Sequence, residues 1–381
     1  ALQDFYNDKD RLKAPMKRTA DAWQEISWEA AFEEIASRFR GIQQEHGQDA
    51  VGVYLGNPNA HNFGNAIMLP RFFKALGTNN RYSSASADQL PHHVASNYML
   101  GAGMLIPVPV GKRLKAIQQR GGKVVVVDPR RTETARKADQ HLFIRPETDA
   151  LFMLAMVHTL FEEQLVTLGH LEDRIDGLEQ LAEAVKPYSP ENVAAACGMT
   201  AEAIRELARE MAAAKSAVCY SRMGASTQSF GGLCQWLNNV LNILTGNFDS
   251  RGGAMFPQPA FDLVRDKKGK PSSYGRYESR VRKLPYFNNE FPVATLADEI
   301  LTPGEGQIRA MITIAGNPVL SAPGGARLED AFDALDFMVS VDIYLNETTR
   351  HADIILPATT GLEVPHFDVF FNSFAVRNTA K

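Results

Sequence analysis

The chain has 381 residues, 45% of them hydrophobic and 22% charged, and a formal net charge of -4. That length predicts two or three domains, and the weak negative charge excludes a nucleic-acid footprint, which needs a basic face. The longest apolar stretch, Leu151 to Phe161, contains His158 and is too short to span a bilayer, so no membrane span is expected.

No signal peptide opens the chain, and the three cysteines, Cys197, Cys219 and Cys234, have no C-x-x-C spacing. Buried free thiols and a reducing, cytoplasmic compartment are expected, with a periplasmic signal on a preceding segment left open. Along the chain, Ala30, Phe32, Ile35, Ala36, Phe39 and Ile42 recur at helical spacing and predict a helix over Ser27 to Glu45, capped by Ser27. It feeds a strand, Ala50 to Leu55, whose carboxyl end turns at Gly56-Asn57-Pro58-Asn59. Small residues there let a ligand approach the backbone. A helix over Gly64 to Leu76 ends at Gly77-Thr78-Asn79-Asn80.

The run Val124 to Val127 reads as a buried strand ending at Asp128. The region 147 to 305 is mostly helical, with amphipathic helices over Ala150 to Glu163 and Ala201 to Lys215, a strand Ala217 to Tyr220, and a helix Gly231 to Leu244. Residues 257 to 295, rich in Pro, Gly, Ser, Lys and Arg, form an irregular excursion; its run Arg265 to Lys270 reads as a solvated loop. A last pair of strands covers Ala310 to Ala315, turning at Gly316-Asn317-Pro318, and Val339 to Asp342.

The chain writes one motif twice. Asp128 is followed by Glu133-Thr134, Arg136 and Ala138-Asp139, and Asp342 by Glu347-Thr348, Arg350 and Ala352-Asp353, so D-x4-E-T-x-R-x-A-D holds in both. Matched polar positions are not explained by two buried strands alone, so two related α/β units are expected. Asp128 and Asp342 stand where an acidic residue meets a ribose or base edge, though either alone could equally cap a turn. The second copy is introduced by a complete strand and turn; the first has only Leu105 to Val110, whose prolines suit neither. The comparison predicts that a strand is missing near Val110-Gly111.

Taken together, Leu76-Gly77-Thr78-Asn79-Asn80, Val127-Asp128-Pro129-Arg130-Arg131-Thr132-Glu133-Thr134-Ala135, Arg145-Pro146-Glu147-Thr148-Asp149, Ala315-Gly316-Asn317-Pro318 and Glu347 to Pro357 resemble the molybdopterin oxidoreductase family, the dimethyl sulfoxide reductase and formate dehydrogenase group. The resemblance covers nearly the whole chain. It implies two pseudo-repeated, doubly wound, Rossmann-like nucleotide-binding domains of α/β class, one from residues 1–50 and 257–381 with the second repeat at 306–358, the other from 51–256 with the first repeat at 111–146. It also implies a bis(molybdopterin guanine dinucleotide) cofactor carrying molybdenum or tungsten.

By that resemblance Asp128 and Asp342 meet the guanosine ends, and Gly56, Asn57, Gly316 and Asn317 form turns near the cofactor. Thr148 and Asp149 open a helix toward phosphate or pterin oxygens, although capping is an equal reading of the pair. Gly224 and Gln228 match a turn near the pterin, and Arg130, Arg145, Thr348 and Asp353 are further motif contacts. In relatives a glycine commonly precedes the Thr-Asp pair; here it is Glu147.

The family presents Cys, selenocysteine, Ser or Asp to the metal a few residues after the Gly-Thr-Asn-Asn segment, which puts Asp88 in that slot, with Ser84 and Ser86 as alternatives. An oxygen donor suits a high-valent metal whose soft ligands are dithiolenes; the other reading of Asp88 is a cap on the helix starting near Leu90-Pro91. His92 and His93 follow as proton donors or acceptors, or as structural histidines. The family's N-terminal 4Fe-4S cluster, expected in the full-length protein, is not ligated by this chain, and the C-terminal β-barrel domain is absent from it.

The expected activity is a two-electron oxidation or reduction of a small-molecule substrate, formate-dehydrogenase-like or acting on an oxyanion or N-oxide, with an electron-transfer partner protein. The alternative is a non-catalytic subunit resembling the large iron-sulfur subunit of respiratory complex I. An NAD or FAD enzyme is disfavoured because Gly121-Gly122 precedes its strand instead of following it.

Overall fold

The computed structural model describes residues 2–100, 111–256 and 274–364. The place near Val110 where a strand is expected to be missing, the Leu105 to Val110 stretch and the basic run 265–270 lie outside the described residues, and Gly111 opens the helix Gly111–Gln119. The chain divides into two units: the first joins Ala1–Leu90 to Lys270–Ser373, and the second is formed chiefly by Pro91–Gly269. Strands are numbered β1 (Met16–Arg18), β2 (Trp23–Glu25), β3 (Val51–Leu55), β4 (Arg81–Ser83), β5 (Val125–Val127), β6 (Gln140–Leu142), β7 (Ala310–Ile314), β8 (Phe337–Asp342) and β9 (Ile354–Pro357).

In the first unit seven strands form one sheet in the order β2-β1-β9-β8-β7-β3-β4. From β9 to β4 neighbours run parallel, while β1 pairs antiparallel with β2 and β9. Parallel strands buried on both faces read as continuous apolar runs, as in Phe337-Met338-Val339. Side chains alternate between faces: Ala310, Ile312, Phe337, Val339 and Ile354 pack with Phe39, whereas Met311, Met338 and Ile355 pack with Leu296, Ile300 and Phe332. Phe39 belongs to the helix Trp28–His46, whose cap Ser27 accepts the Ala30 N–H at 3.1 Å.

The sequence reading groups residues 51–90 with the first repeat, and here the structure differs. They lie in the first unit because β3 pairs with β7, from Val51 opposite Ala310 to Leu55 opposite Ile314. Chain order reverses at this pair: β3 leads to β4 on one side, and β7 to β8 and β9 on the other. Open α/β sheets bind ligands outside the carboxyl ends of the strands at such a reversal.

The second unit is built on the helix Asp149–Glu162, which packs against Pro190–Cys197, Ala201–Ala213 and Gly231–Leu244 and buries Met153, Leu160, Ile204, Leu237 and Leu241. Strands β5 and β6 form a parallel pair. Among the described residues β5 has β6 as its one neighbour, whereas β8, its counterpart in the repeat, lies between β7 and β9.

The predicted strand Ala217 to Tyr220 is a correction, because it joins no sheet. Asn242 accepts the Cys219 N–H at 2.8 Å and donates to the Cys219 carbonyl at 2.9 Å, and Asn247 accepts the Ala217 N–H at 2.8 Å. A side-chain amide offers the donor and acceptor that a neighbouring strand would supply.

Candidate functional site

In the first unit the carboxyl ends of β3 and β7 meet. A Cβ on Gly56 would stand 1.7 Å from the Ala315 carbonyl oxygen, and one on Gly316 would stand 2.8 Å from the Gly56 Cα. Both positions exclude any larger residue, so the two turns touch through bare backbone. Asn59 stitches them, donating to the carbonyls of Gly56 at 2.9 Å and Ile314 at 2.7 Å. Ala315, just before Gly316, holds φ +52°, a strained conformation for a residue with a Cβ and one that clusters at ligand clamps. Asn57 is exposed at the start of the 57–61 turn.

The Asn317 side chain is held at both ends: it donates to Glu347 Oε2 at 2.8 Å and accepts from Thr348 Oγ1 at 2.6 Å. Thr348 is buried and also accepts the Val319 N–H at 3.2 Å. Asp342, at the end of β8, accepts from the Ile343 N–H at 2.6 Å and from Asn346 Nδ2 at 3.1 Å. Burial raises its carboxyl above the usual range. Asp353 accepts the Met338 N–H at 2.8 Å and faces Arg18 at 3.2 Å, so its carboxylate locks the start of β8.

Asp88 closes the short helix Ala85–Asp88 just beyond β4 and is partly exposed. Ser86 is tied up inside the fold, donating to the Ser83 carbonyl at 2.9 Å and accepting the Val293 N–H at 2.9 Å. One residue of this neighbourhood escaped sequence reasoning. Glu290 accepts from Ser83 Oγ at 2.7 Å, and burial, with Asp88 contributing, pushes its carboxyl up to about 8.

In the second unit, residues far apart in sequence come together. Gln228 Nε2 donates to Asp149 Oδ2 at 3.0 Å and to the Gly224 carbonyl at 2.9 Å, while its Oε1 is buried without a partner. Thr148 does not cap its helix by a side-chain bond; its hydroxyl donates to the Arg145 carbonyl at 2.7 Å. Glu147 holds φ +68°, the left-handed region where glycine is favoured. That is a physical reason for the glycine expected there.

Asp128 accepts the Arg130 N–H at 2.7 Å. Arg130 and Arg145 are exposed. Asp139 repeats the role of Asp353, accepting the Val124 N–H at 2.7 Å. His92, on the helix Leu90–Leu100, is buried with Nε2 unpartnered. Burial, then Arg222 and His93, push its imidazole down to about 4. His93 lies close enough to contribute.

Among the described residues no three His, Cys, Asp or Glu side chains are grouped to hold a metal ion, and no helix is long and apolar enough to cross a membrane. Cys197 and Cys234 are buried and Cys219 partly so, and burial pushes the Cys219 and Cys234 thiols up to about 12.

The model of the molybdopterin oxidoreductase family matches residues 11–107 and 101–378. The molybdopterin-containing subunit of thiosulfate reductase from Salmonella typhimurium is 29% identical over 398 residues, covering 94% of this chain and 52% of that protein. Formate dehydrogenase H of Escherichia coli is 27% identical over 417 residues, covering 96% and 57%. The structure of acetylene hydratase from Pelobacter acetylenicus shares the fold, with a TM-score of 0.79 at 23% identity over 93% of this chain and 56% of that one. The chain thus spans about half the length of the curated relatives it matches.

Proposed function

The chain belongs to the molybdopterin oxidoreductase family, and from that premise we propose that it forms the cofactor-holding core of a molybdenum or tungsten enzyme. It would bind a bis(molybdopterin guanine dinucleotide) and serve a two-electron conversion of a small substrate. The observation that carries this reading is the duplication. Strands β5 and β8 each run into an aspartate, Asp128 and Asp342, and each is followed by the same E-T-x-R-x-A-D run in its own unit. A cofactor with two nucleotide arms needs two such ends.

The residues present fit the group. Gln228 Oε1 and His92 Nε2 are buried polar atoms with no partner, and buried polar groups ordinarily find one. The exposed guanidinium groups of Arg130 and Arg145 suit phosphate. Asp128 and Asp342 would hold guanosine ends, the backbone at Gly56, Asn57, Gly316 and Asn317 the phosphates of one arm, and Thr148, Asp149, Gly224 and Gln228 the pterin. When bound, the cofactor supplies the redox chemistry. Asp88 would supply an oxygen donor to the metal. His92, kept neutral at pH 7 by its burial, can take a proton at Nε2.

The substrate is a small molecule handled as in formate dehydrogenases or oxyanion and N-oxide reductases. A 4Fe-4S cluster in the full-length protein, an electron-transfer partner and a cytoplasmic location belong to the same proposal. Replacing Asp88 by Ala in the full-length protein tests the ligand: pterin content should stay and turnover should vanish. Unchanged turnover would remove Asp88 from the metal.

A further inference from the structure

We propose that Glu290 is the positioning residue of the Asp88 turn, holding Ser83 to Asp88 in place through the Ser83 hydroxyl. This rests on reading Asp88 as the metal ligand.

A local turn sets the place of Glu290. Asn288 and Asn289 hold φ +51° and +65°, a pair of left-handed residues that asparagine tolerates. Phe287 and Glu290 exchange backbone hydrogen bonds at 3.1 Å in both directions. That is the geometry of a two-residue reverse turn whose central residues both need positive φ. Its exit strip then runs along β4 and the turn beyond it. Phe291 N–H donates to the Arg81 carbonyl at 2.9 Å, and Val293 N–H to Ser86 Oγ at 2.9 Å. The Phe291 ring lies 4.9 Å from that of Tyr286 and 6.2 Å from that of Tyr82.

Glu290 is at the centre of this clasp. Ser83 Oγ donates to Glu290 Oε2 at 2.7 Å and accepts the Ala85 N–H at 3.1 Å. A serine hydroxyl has one hydrogen, so giving it to Glu290 turns the lone pairs toward Ala85, the first residue of the helix that ends at Asp88. The Glu290 carboxyl therefore acts two bonds away, through Ser83, on the start of the ligand helix.

A purely structural anchor would not need a carboxyl group. Glu290 Oε1 is buried without a partner, and such an atom costs stability that an apolar side chain would avoid. That cost is borne a few residues from the position read as the metal ligand, where breaches of local packing rules concentrate. The atom that Ser83 uses is a single carboxyl oxygen, Oε2, which accepts at 2.7 Å, and a glutamine carbonyl oxygen can accept in the same way. Glutamine is then its closest isostere.

The test uses the full-length holoenzyme with Glu290→Gln, Glu290→Leu and Ser83→Ala. Amide hydrogen exchange over 83–89 is read with and without cofactor, and the EPR signal of the pentavalent metal is read in parallel. Glu290→Leu should speed exchange at Ala85 and Ser86 about tenfold, the loss expected for one hydrogen bond, and change the EPR signal at unchanged metal content. Glu290→Gln should restore both. Should the Leu variant fail to fold, Ser83→Ala carries the same expectation for exchange. Unchanged exchange in Glu290→Leu and Ser83→Ala, or no rescue by Glu290→Gln, overturns the proposal. An EPR signal indifferent to Asp88→Ala would instead remove the ligand assignment, while the exchange arm still decides on Glu290.

Discussion

Thr348 gives its hydroxyl to Asn317 Oδ1 at 2.6 Å, and Glu347 holds the other end of the same amide at 2.8 Å. The Glu-Thr pair of the duplicated motif is thus a clamp on the turn that follows β7. In the first copy the matching pair, Glu133 and Thr134, is exposed and makes no side-chain hydrogen bond among the described residues. The pair is retained in sequence, while among the described residues β5 pairs with β6 alone.

Thr348→Val should therefore cost about 1–3 kcal/mol of stability, since it leaves the buried Val319 N–H and the half-buried Asn317 amide oxygen without this partner. Thr134→Val should stay within about 0.5 kcal/mol. Chemical denaturation of the two variants measures both, and equal losses would contradict the clamp.

Asp139 and Asp353 hold the starts of β5 and β8, accepting from Val124 N–H, just before β5, at 2.7 Å and from Met338 N–H, the second residue of β8, at 2.8 Å. Replacing Asp353 by Ala should cost roughly 2 kcal/mol, a charge-assisted bond, and leave pterin content unchanged. Loss of pterin without loss of stability would make Asp353 the cofactor contact that the family resemblance implies.

His92 sets part of the acid limb of stability. Its folded value of about 4 lies below the ordinary 6.5, so the folded state binds fewer protons than the unfolded one across that window. Its contribution is complete above pH 6.5 and is lost as pH falls from there through 4, about 3 kcal/mol in all. Denaturation of the wild type and His92→Gln between pH 7.5 and 4 should show a shallower fall in the variant. Parallel curves would mean that His92 protonates freely in the folded protein.

Glu147→Gly should stabilise the chain or leave it unchanged. A left-handed residue with a Cβ costs roughly 1–2 kcal/mol, against about 0.5–1 kcal/mol for the added freedom of glycine when unfolded. A loss above about 1 kcal/mol would show that the Glu147 side chain holds something the backbone angle does not reveal.

Elements with local periodicity were legible in the sequence. The helix read over Ser27 to Glu45 spans Trp28–His46, and the strands read at Ala50 to Leu55 and Val339 to Asp342 are β3 and β8. The family resemblance named Asp149, Gly224 and Gln228, and the Gln228 amide donates to the other two. Features set by distant pairing were not legible. The three-residue strands β1 and β2 carry no period, and the apolar run Ala217 to Tyr220 draws its hydrogen bonds from Asn242 and Asn247. Glu290 is 207 residues from Ser83 and lies in an irregular stretch where no pattern marks it.

The proposed two-armed cofactor is tested most directly by metal and pterin analysis of the full-length protein purified without oxygen. One molybdenum or tungsten per chain, oxidised-pterin fluorescence and two guanosine monophosphates released on hydrolysis are the expected result. Iron with neither pterin nor guanosine would contradict it and point to a subunit that keeps the fold for electron transfer alone.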